Sequence, residues 1–144
     1  RFTPAEVWEQ RNPWIVEQLA LASDSVGPGK WRGGPGLNLD IRMTEDTLIT
    51  TVFERSLNAP WGLLGGKEAR PNNCYAQMPD GEVHSIAKST HFHMPKDSVL
   101  QMKTGGGGGY GDPSERPIAS VQRDVEDGYM TEAYARKHYP HAFA

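Results

Sequence analysis

The sequence predicts an α+β fold, mainly β: antiparallel strands, Gly-rich polyproline-II-like segments and a two-helix C-terminal tail. Three observations predict it. Apolar and polar residues alternate from Leu37 to Met43, and a β-branched run follows from Thr47 to Phe53. Fourteen of the sixteen glycines fall in three clusters, Gly27–Gly36, Pro60–Gly66 and Gly105–Gly111. After Pro113 the pattern turns helical, with Ile118, Val121 and Val125 on one face. These place a β-rich and Gly-rich domain over residues 1–116 and a helical tail over 117–144, together one structural unit.

Taken in order, Thr3-Pro4-Ala5-Glu6 opens a helix, with Thr3 as cap, Pro4 at the first position and Glu6 completing a capping box. Asn12-Pro13 ends it. Trp14–Leu21 reads as strand or short helix, because period alone does not decide a short apolar run. Leu37, Leu39, Ile41 and Met43 form the inward face of a half-buried strand. Glu45-Asp46 turns the chain, and Thr47–Phe53 returns as its hairpin partner. Ala59–Met78 reads as irregular. Asp80-Gly81 is the clearest hairpin turn, followed by a strand within Val83–His93 that buries Ile86 and Phe92. Pro95-Lys96-Asp97 turns again, and Ser98–Lys103 is the last strand. Ser114–Val125 reads as a helix with Pro117 near its start, ended by Asp127-Gly128. A second short helix, Thr131–His138, is capped by Thr131 and stopped before Pro140.

The glycine clusters carry the most information. Five consecutive glycines, Gly105–Gly109, have no side chains with which to build a core. Tyr110, Gly111 and Asp112-Pro113 follow as anchor, turn and stop. This favours backbone wedged among neighbours over a free linker, which would alternate Gly with Ser. Trp31 and Trp61 stand within the clusters, where large rings suit buried contact with backbone.

With 144 residues, the chain has the length of one domain. A hydrophobic content of 37% and a mean hydropathy of −0.62 make a thin core. Either part of the surface is covered by something else or much of the chain is loop. Fifteen basic and eighteen acidic residues give a net charge of −3, which argues against nucleic acid or membrane as partners. There is neither an apolar run of membrane-span length nor a signal-peptide pattern. One cysteine, Cys74, forms no internal disulfide and suits a reducing, cytoplasmic setting.

Chemical motifs are few. Gly29-Lys30-Trp31 is not a phosphate loop, since neither Ser nor Thr follows the lysine. Gly106, Gly108 and Gly111 fit a G-x-G-x-x-G pattern only because nearly everything there is Gly. A backbone nest for an anion is open, with packing favoured. Cys74, His84, His91 and His93 are the one metal-like set, and their spacing matches no zinc template. Lys30, Arg32 and Lys67 stand ready to meet a carboxylate or phosphate, or acidic residues on a partner chain, the latter favoured. Asp24 and Asp112 read as loop caps. Neither a Ser–His–Asp nor a Cys–His arrangement has local support.

Asp24-Ser25 leading into Gly29-Lys-Trp-Arg-Gly-Gly34 with Gly36, then Pro60-Trp-Gly-Leu-Leu-Gly-Gly-Lys67, then Gly106-Gly-Gly-Gly-Tyr-Gly-Asp-Pro113 and Val121–Gly128, resemble in order and spacing the C-terminal part of the hydantoinase B family. That family includes the B half of 5-oxoprolinase and the matching subunits of acetone and acetophenone carboxylases. The chain departs from the pattern at Gly105, where members tend to have Pro, at Glu68–Asn72, where further glycines are usual, and around His91-Phe92-His93. Family B chains are much longer. The resemblance therefore implies a fragment or a separate small subunit of an ATP-dependent carboxylase such as acetophenone carboxylase. It implies a hetero-oligomer with a larger B-type subunit and ATP-binding subunits. ATP and Mg would sit in those partners, with no cofactor on this chain. The substrate class is a ketone or cyclic amide, ketone carboxylation favoured, and this chain would complete the fold rather than catalyse. The residues expected to build this packed, partner-facing structure are Lys30, Trp31, Arg32, Gly33, Gly34, Trp61, Gly65, Gly66, Gly106, Gly107, Gly108, Tyr110, Gly111 and Asp112. Two other readings stand beside it: a free-standing binding or scaffold module, and a small metal-dependent hydrolase using the Cys74/His set.

Overall fold

The computed structural model describes residues 3–143 and divides into two units, each assembled from three stretches of chain. The first holds residues 1–20, 38–54 and 73–103; the second holds 21–37, 55–72 and 104–144.

The first unit is mainly β. Helix α1 (Ala5–Arg11) starts with Pro4 at the cap position and without a side-chain cap bond, so the Thr3 cap and Glu6 capping box are not formed. Its first main-chain bond runs from Trp8 N–H to the Pro4 carbonyl. Asn12 then ends it in extended backbone. Strand β1 (Trp14–Ala22) resolves the strand-or-helix question in favour of strand. Strand β2 (Gly36–Met43) buries Leu39, Ile41 and Met43, as the alternation predicts.

The expected β2–β3 hairpin does not form. Strand β3 (Thr47–Val52) pairs instead with β6 (Lys88–Met94), Ile49 opposite Phe92. The reason is occupancy: β2 already has β1 on one side and β7 (Val99–Lys103) on the other. The five-stranded sheet runs β1-β2-β7-β4-β5, with β4 (Asn73–Gln77) and β5 (Val83–Ser85) completing it. Strand β4 lies inside the stretch read as irregular. Its inward residues, Cys74 and Ala76, are small, and they face Met102 and Leu100 across the ladder. Short side chains opposite long ones fill the layer without lengthening the apolar signal.

Asp80-Gly81 does turn the chain from β4 to β5, with Gly81 at φ +90° and its N–H on the Met78 carbonyl. The strand expected within Val83–His93 is broken in two. Ile86 is buried at the corner, its N–H on the Cys74 carbonyl, while the neighbouring Ala87 carbonyl accepts from Phe53 in the other sheet. The chain thus changes sheets there. The core gathers Leu39, Ile41, Met43, Cys74, Ala76, Ile86, Met94 and Leu100, with Trp8 and Trp14 packed edge-to-face against it at 5.5 Å.

Burial pushes the Cys74 thiol up to about 11, so it stays protonated and unreactive at neutral pH. A thiol reagent should leave the folded protein unlabelled over a time that labels it completely in denaturant. Fast stoichiometric labelling of the native chain would contradict this burial.

The second unit holds the glycine clusters and the helices. The segment read as one helix from Ser114 to Val125 splits into a 3-10 turn, Pro113–Glu115, and helix α2 (Ile118–Glu126). Pro117 forces the split, because Arg116 before it is extended at ψ 129°. Val121 is buried, Val125 is half-buried and Ile118 is exposed, so the predicted face is narrower than expected. Helix α3 (Glu132–His138) is capped by Thr131, whose hydroxyl accepts from Tyr134 N–H. Val26, Val121, Met130, Ala135 and Tyr139 make the core of this unit. Among the described residues, no helix is long and apolar enough to cross a membrane.

Candidate interaction site

The three glycine clusters form one lattice within the second unit. Gly27 N–H donates to the Gly107 carbonyl at 2.8 Å, and Gly107 N–H to Gly34 at 2.9 Å. Trp31 and Tyr110 exchange both main-chain bonds at 2.9 Å. The third segment joins through Leu63 N–H to Gly109, Gly109 N–H to Lys67 and Lys67 N–H to Pro28. Each extended segment therefore satisfies its backbone on the other two, as segments without internal ladders must. The wedging partners are this chain's own loops.

Approach is closer than any side chain allows. A Cβ built on Gly33 would meet the Gly107 carbonyl, and one on Gly66 or Gly106 the carbonyls of Gly109 or Ser25. Gly34 is the exception, with open space around it. Gly65 and Gly111 have positive φ, +93° and +73°.

The same geometry argues against an anion nest. A phosphate cradle needs free N–H groups. Here the N–H groups of Gly107, Gly109, Tyr110 and Gly111 donate to main-chain carbonyls, and Gly105 N–H donates to the Asn72 side chain at 2.6 Å.

Side chains bolt the helices to the lattice. The buried Tyr139 hydroxyl accepts from Gly29 N–H and donates to the Gly29 carbonyl. The Tyr134 hydroxyl donates to the Val26 carbonyl at 2.7 Å, and burial pushes that phenol up to about 12. Asp24 accepts from the N–H and hydroxyl of Thr131. Asp112 accepts from Ser114 N–H and hydroxyl at 2.8 Å, bonds that hold its carboxyl below the ordinary range. Both aspartates are caps, as read from sequence.

Two of the three cations read as ready for a partner's acid find one inside the chain. Lys30 pairs with Glu115 at 2.9 Å. Arg32 bonds Asp124 at 2.8 Å and lies over the Tyr129 ring, while Arg116 reaches the other Asp124 oxygen at 2.6 Å. Asp124 and Tyr139 carried no sequence signal, since their partners lie some ninety or more positions away.

The large rings correct the sequence reading. Trp31 and Trp61 are not buried; they are 65% and 64% exposed, and the Arg55 guanidinium rests on Trp61 at 4.7 Å. Bridge pairing sets Trp31 and Leu63 on either side of Tyr110, and all three are about half exposed or more. A lattice without side chains inside thus presents an apolar row outside, of the kind that marks interaction surfaces.

Beside it lies an open cleft of about 840 Å³, lined by Asp24, Trp61, Lys67, Arg70, Tyr134 and His138 among others. Its polar groups are committed to structure: Asp24 and Tyr134 as above, and Arg70 to the Thr104 carbonyl. That suits binding better than acid–base work. Burial, and then Lys137, holds the His138 imidazole below its ordinary 6.5. A depressed pKa favours the neutral form in the native state, so this contribution is present above pH 6.5 and lost as pH falls through the folded value. The melting temperature should drop between pH 7 and 5, and His138→Gln should flatten the slope; an unchanged slope would refute this assignment.

Cys74, His84, His91 and His93 are not brought together. Cys74 is buried in the core, and His84 lies against Phe92. His91, at φ +52°, sits beside the irregularity between β3 and β6, which breaks the shared strand face expected for His91 and His93. Among the described residues, no group of three or more His, Cys, Asp or Glu is placed to hold a metal ion.

The family model for hydantoinase B/oxoprolinase matches residues 1–113. Caprolactamase subunit beta of Pseudomonas jessenii is 31% identical over 140 residues, covering 93% of this chain and 24% of its own. The solved ATP-dependent caprolactamase from the same organism superposes with a TM-score of 0.84 at 30% identity, over 94% of this chain and 24% of that one. Acetone carboxylase, in a nucleotide-free structure, shares the fold at the same TM-score and 22% identity, over 96% and 23%. The chain spans about a quarter of the length of the curated relatives it matches first.

Proposed function

This chain belongs to the hydantoinase B/oxoprolinase family, and on that premise we propose that it is a structural, chamber-completing part of a hetero-oligomeric ATP-dependent enzyme. Its partners are a larger B-type polypeptide and ATP-binding subunits, and ATP with Mg is held by those partners. The observation that carries this reading is the apolar row of Trp31, Tyr110 and Leu63, held rigidly by a glycine lattice yet left open. Trp and Tyr on rigid backbone are the residues that anchor interfaces. The committed N–H groups of Gly105–Gly111 support placing ATP elsewhere.

The substrate class we favour is a cyclic amide. The relative at 31% identity is named for caprolactam and the matching family for hydantoin and oxoproline, all rings closed by an amide. The likeness to acetone carboxylase supports the fold only, so the ketone expected from sequence resemblance ranks second.

Co-expression of the chain with hydantoinase A- and B-type subunits, followed by size exclusion, tests the proposal. The expected result is one stoichiometric peak. Trp31→Glu should release this chain while moving its own stability by no more than about 0.5 kcal/mol, as for an exposed side chain. A chain that stays monomeric beside such subunits, or that opens a lactam alone with ATP, would overturn it.

A further inference from the structure

Strand β1 is an edge of the five-stranded sheet, with β2 on one side only. The direction of its main-chain groups can be read from its ends. The Pro13 carbonyl accepts from Thr44 N–H, just past β2, so odd-numbered positions face β2. Val16 N–H donates to the Glu9 carboxylate at 2.8 Å, and the Ala22 carbonyl accepts from the Ser25 hydroxyl. Even-numbered positions therefore face outward, because the direction alternates along a strand. The next outward groups are the N–H and C=O of Gln18 and Ala20, and among the described residues no side chain caps them.

Natural edges are blunted by shortness, Lys, Pro or bulges. The opposite edge, β5, is three residues long. Strand β1 is nine. Its run Ile15–Leu21 has neither Lys nor Pro, and its one charge, Glu17, is tied to Arg42 at 2.5 Å. Ile15 and Leu19 stand exposed beside Glu17 on one face.

We infer that β1 is paired in the working enzyme by an extended strand of the larger B-type polypeptide, with apolar side chains at alternate positions to cover Ile15 and Leu19. This rests on the assembly proposed above. The B-type relatives are matched over only 24% of their length while nearly all of this chain is used, so they carry ample chain outside the shared fold. Main-chain bonds to Gln18 and Ala20 would give affinity, and the alternate apolar contacts specificity.

Amide hydrogen exchange on the chain alone and in the co-expressed enzyme tests this. Alone, Gln18 and Ala20 should exchange about a hundredfold faster than Leu19, whose N–H lies in the ladder to β2; in the enzyme they should slow by a similar factor. Gln18→Pro removes an outward N–H and costs no ladder bond. It should leave the free chain folded and weaken assembly at least about tenfold, whereas Leu19→Pro unfolds it. An enzyme that forms with Gln18 and Ala20 still exchanging freely overturns this inference alone. So does slow exchange in a free monomer. A free dimer whose protection at these amides is abolished by Gln18→Pro would identify a second copy as the occupant and overturn it too. Failure of any enzyme to form removes the assembly reading itself.

Discussion

Gly108→Ala will destabilise the chain by about 3 kcal/mol or more, at the upper end of overpacking costs, while Gly34→Ala will be neutral or slightly stabilising. A Cβ on Gly108 would stand 1.8 Å from the Trp61 carbonyl oxygen and 3.0 Å from Gly62 N. Both obstacles are main chain, so no rotamer change relieves the clash. The segments would have to separate, breaking bonds such as Leu63 N–H to Gly109. Gly34 has nothing within 4 Å of its would-be Cβ and lacks a positive φ. There alanine acts on the unfolded chain, reducing its freedom, which is worth about 0.4–1 kcal/mol in favour of folding. Urea unfolding of the two variants decides the matter, read as a shift in midpoint at constant slope. Equal, small effects would mean that the lattice is looser than its geometry.

The second large effect is expected at Asp124. Its carboxylate is nearly buried and receives Arg32 on one oxygen and Arg116 on the other. Asp124→Ala leaves two guanidinium groups in a dry site without their counter-charge. Removing one partner of a buried ion pair typically costs about 3–5 kcal/mol. Replacing all three, Arg32→Met, Arg116→Met and Asp124→Leu, should recover much of that loss, since apolar groups of similar volume pay no desolvation. The loss would then be one of uncompensated charge rather than of shape. If the triple variant is as unstable as Asp124→Ala, the other bonds of these arginines, to the Gly33 and Lys30 carbonyls, matter more than the ion pairs.

Both sites show how legibility depended on the range of the interaction. The alternation at Leu37–Met43, the Asp80-Gly81 turn, the Thr131 cap and the Asp24 and Asp112 caps are read correctly because neighbours in sequence decide them, or because a short polar side chain at a turn has few other uses. Strand β4 is missed because its inward residues, Cys74 and Ala76, are too small to register as apolar periodicity. The β2–β3 hairpin is wrongly expected because local turn chemistry says nothing about which edges of β2 are already taken. Trp31 and Trp61 are wrongly expected to be buried, since composition does not tell a ring facing into a glycine lattice from one facing out.

By itself, the sequence determined that glycine backbone would pack rather than dangle, and it carried the family membership, because steric need for Gly leaves its mark at each position. Only the tertiary structure decided what the glycines pack against, which cations are spent inside the chain, and which aromatic row and strand edge stay open. Those are contacts between residues tens of positions apart, and they are set by the three-dimensional path of the backbone rather than by any local run of residues.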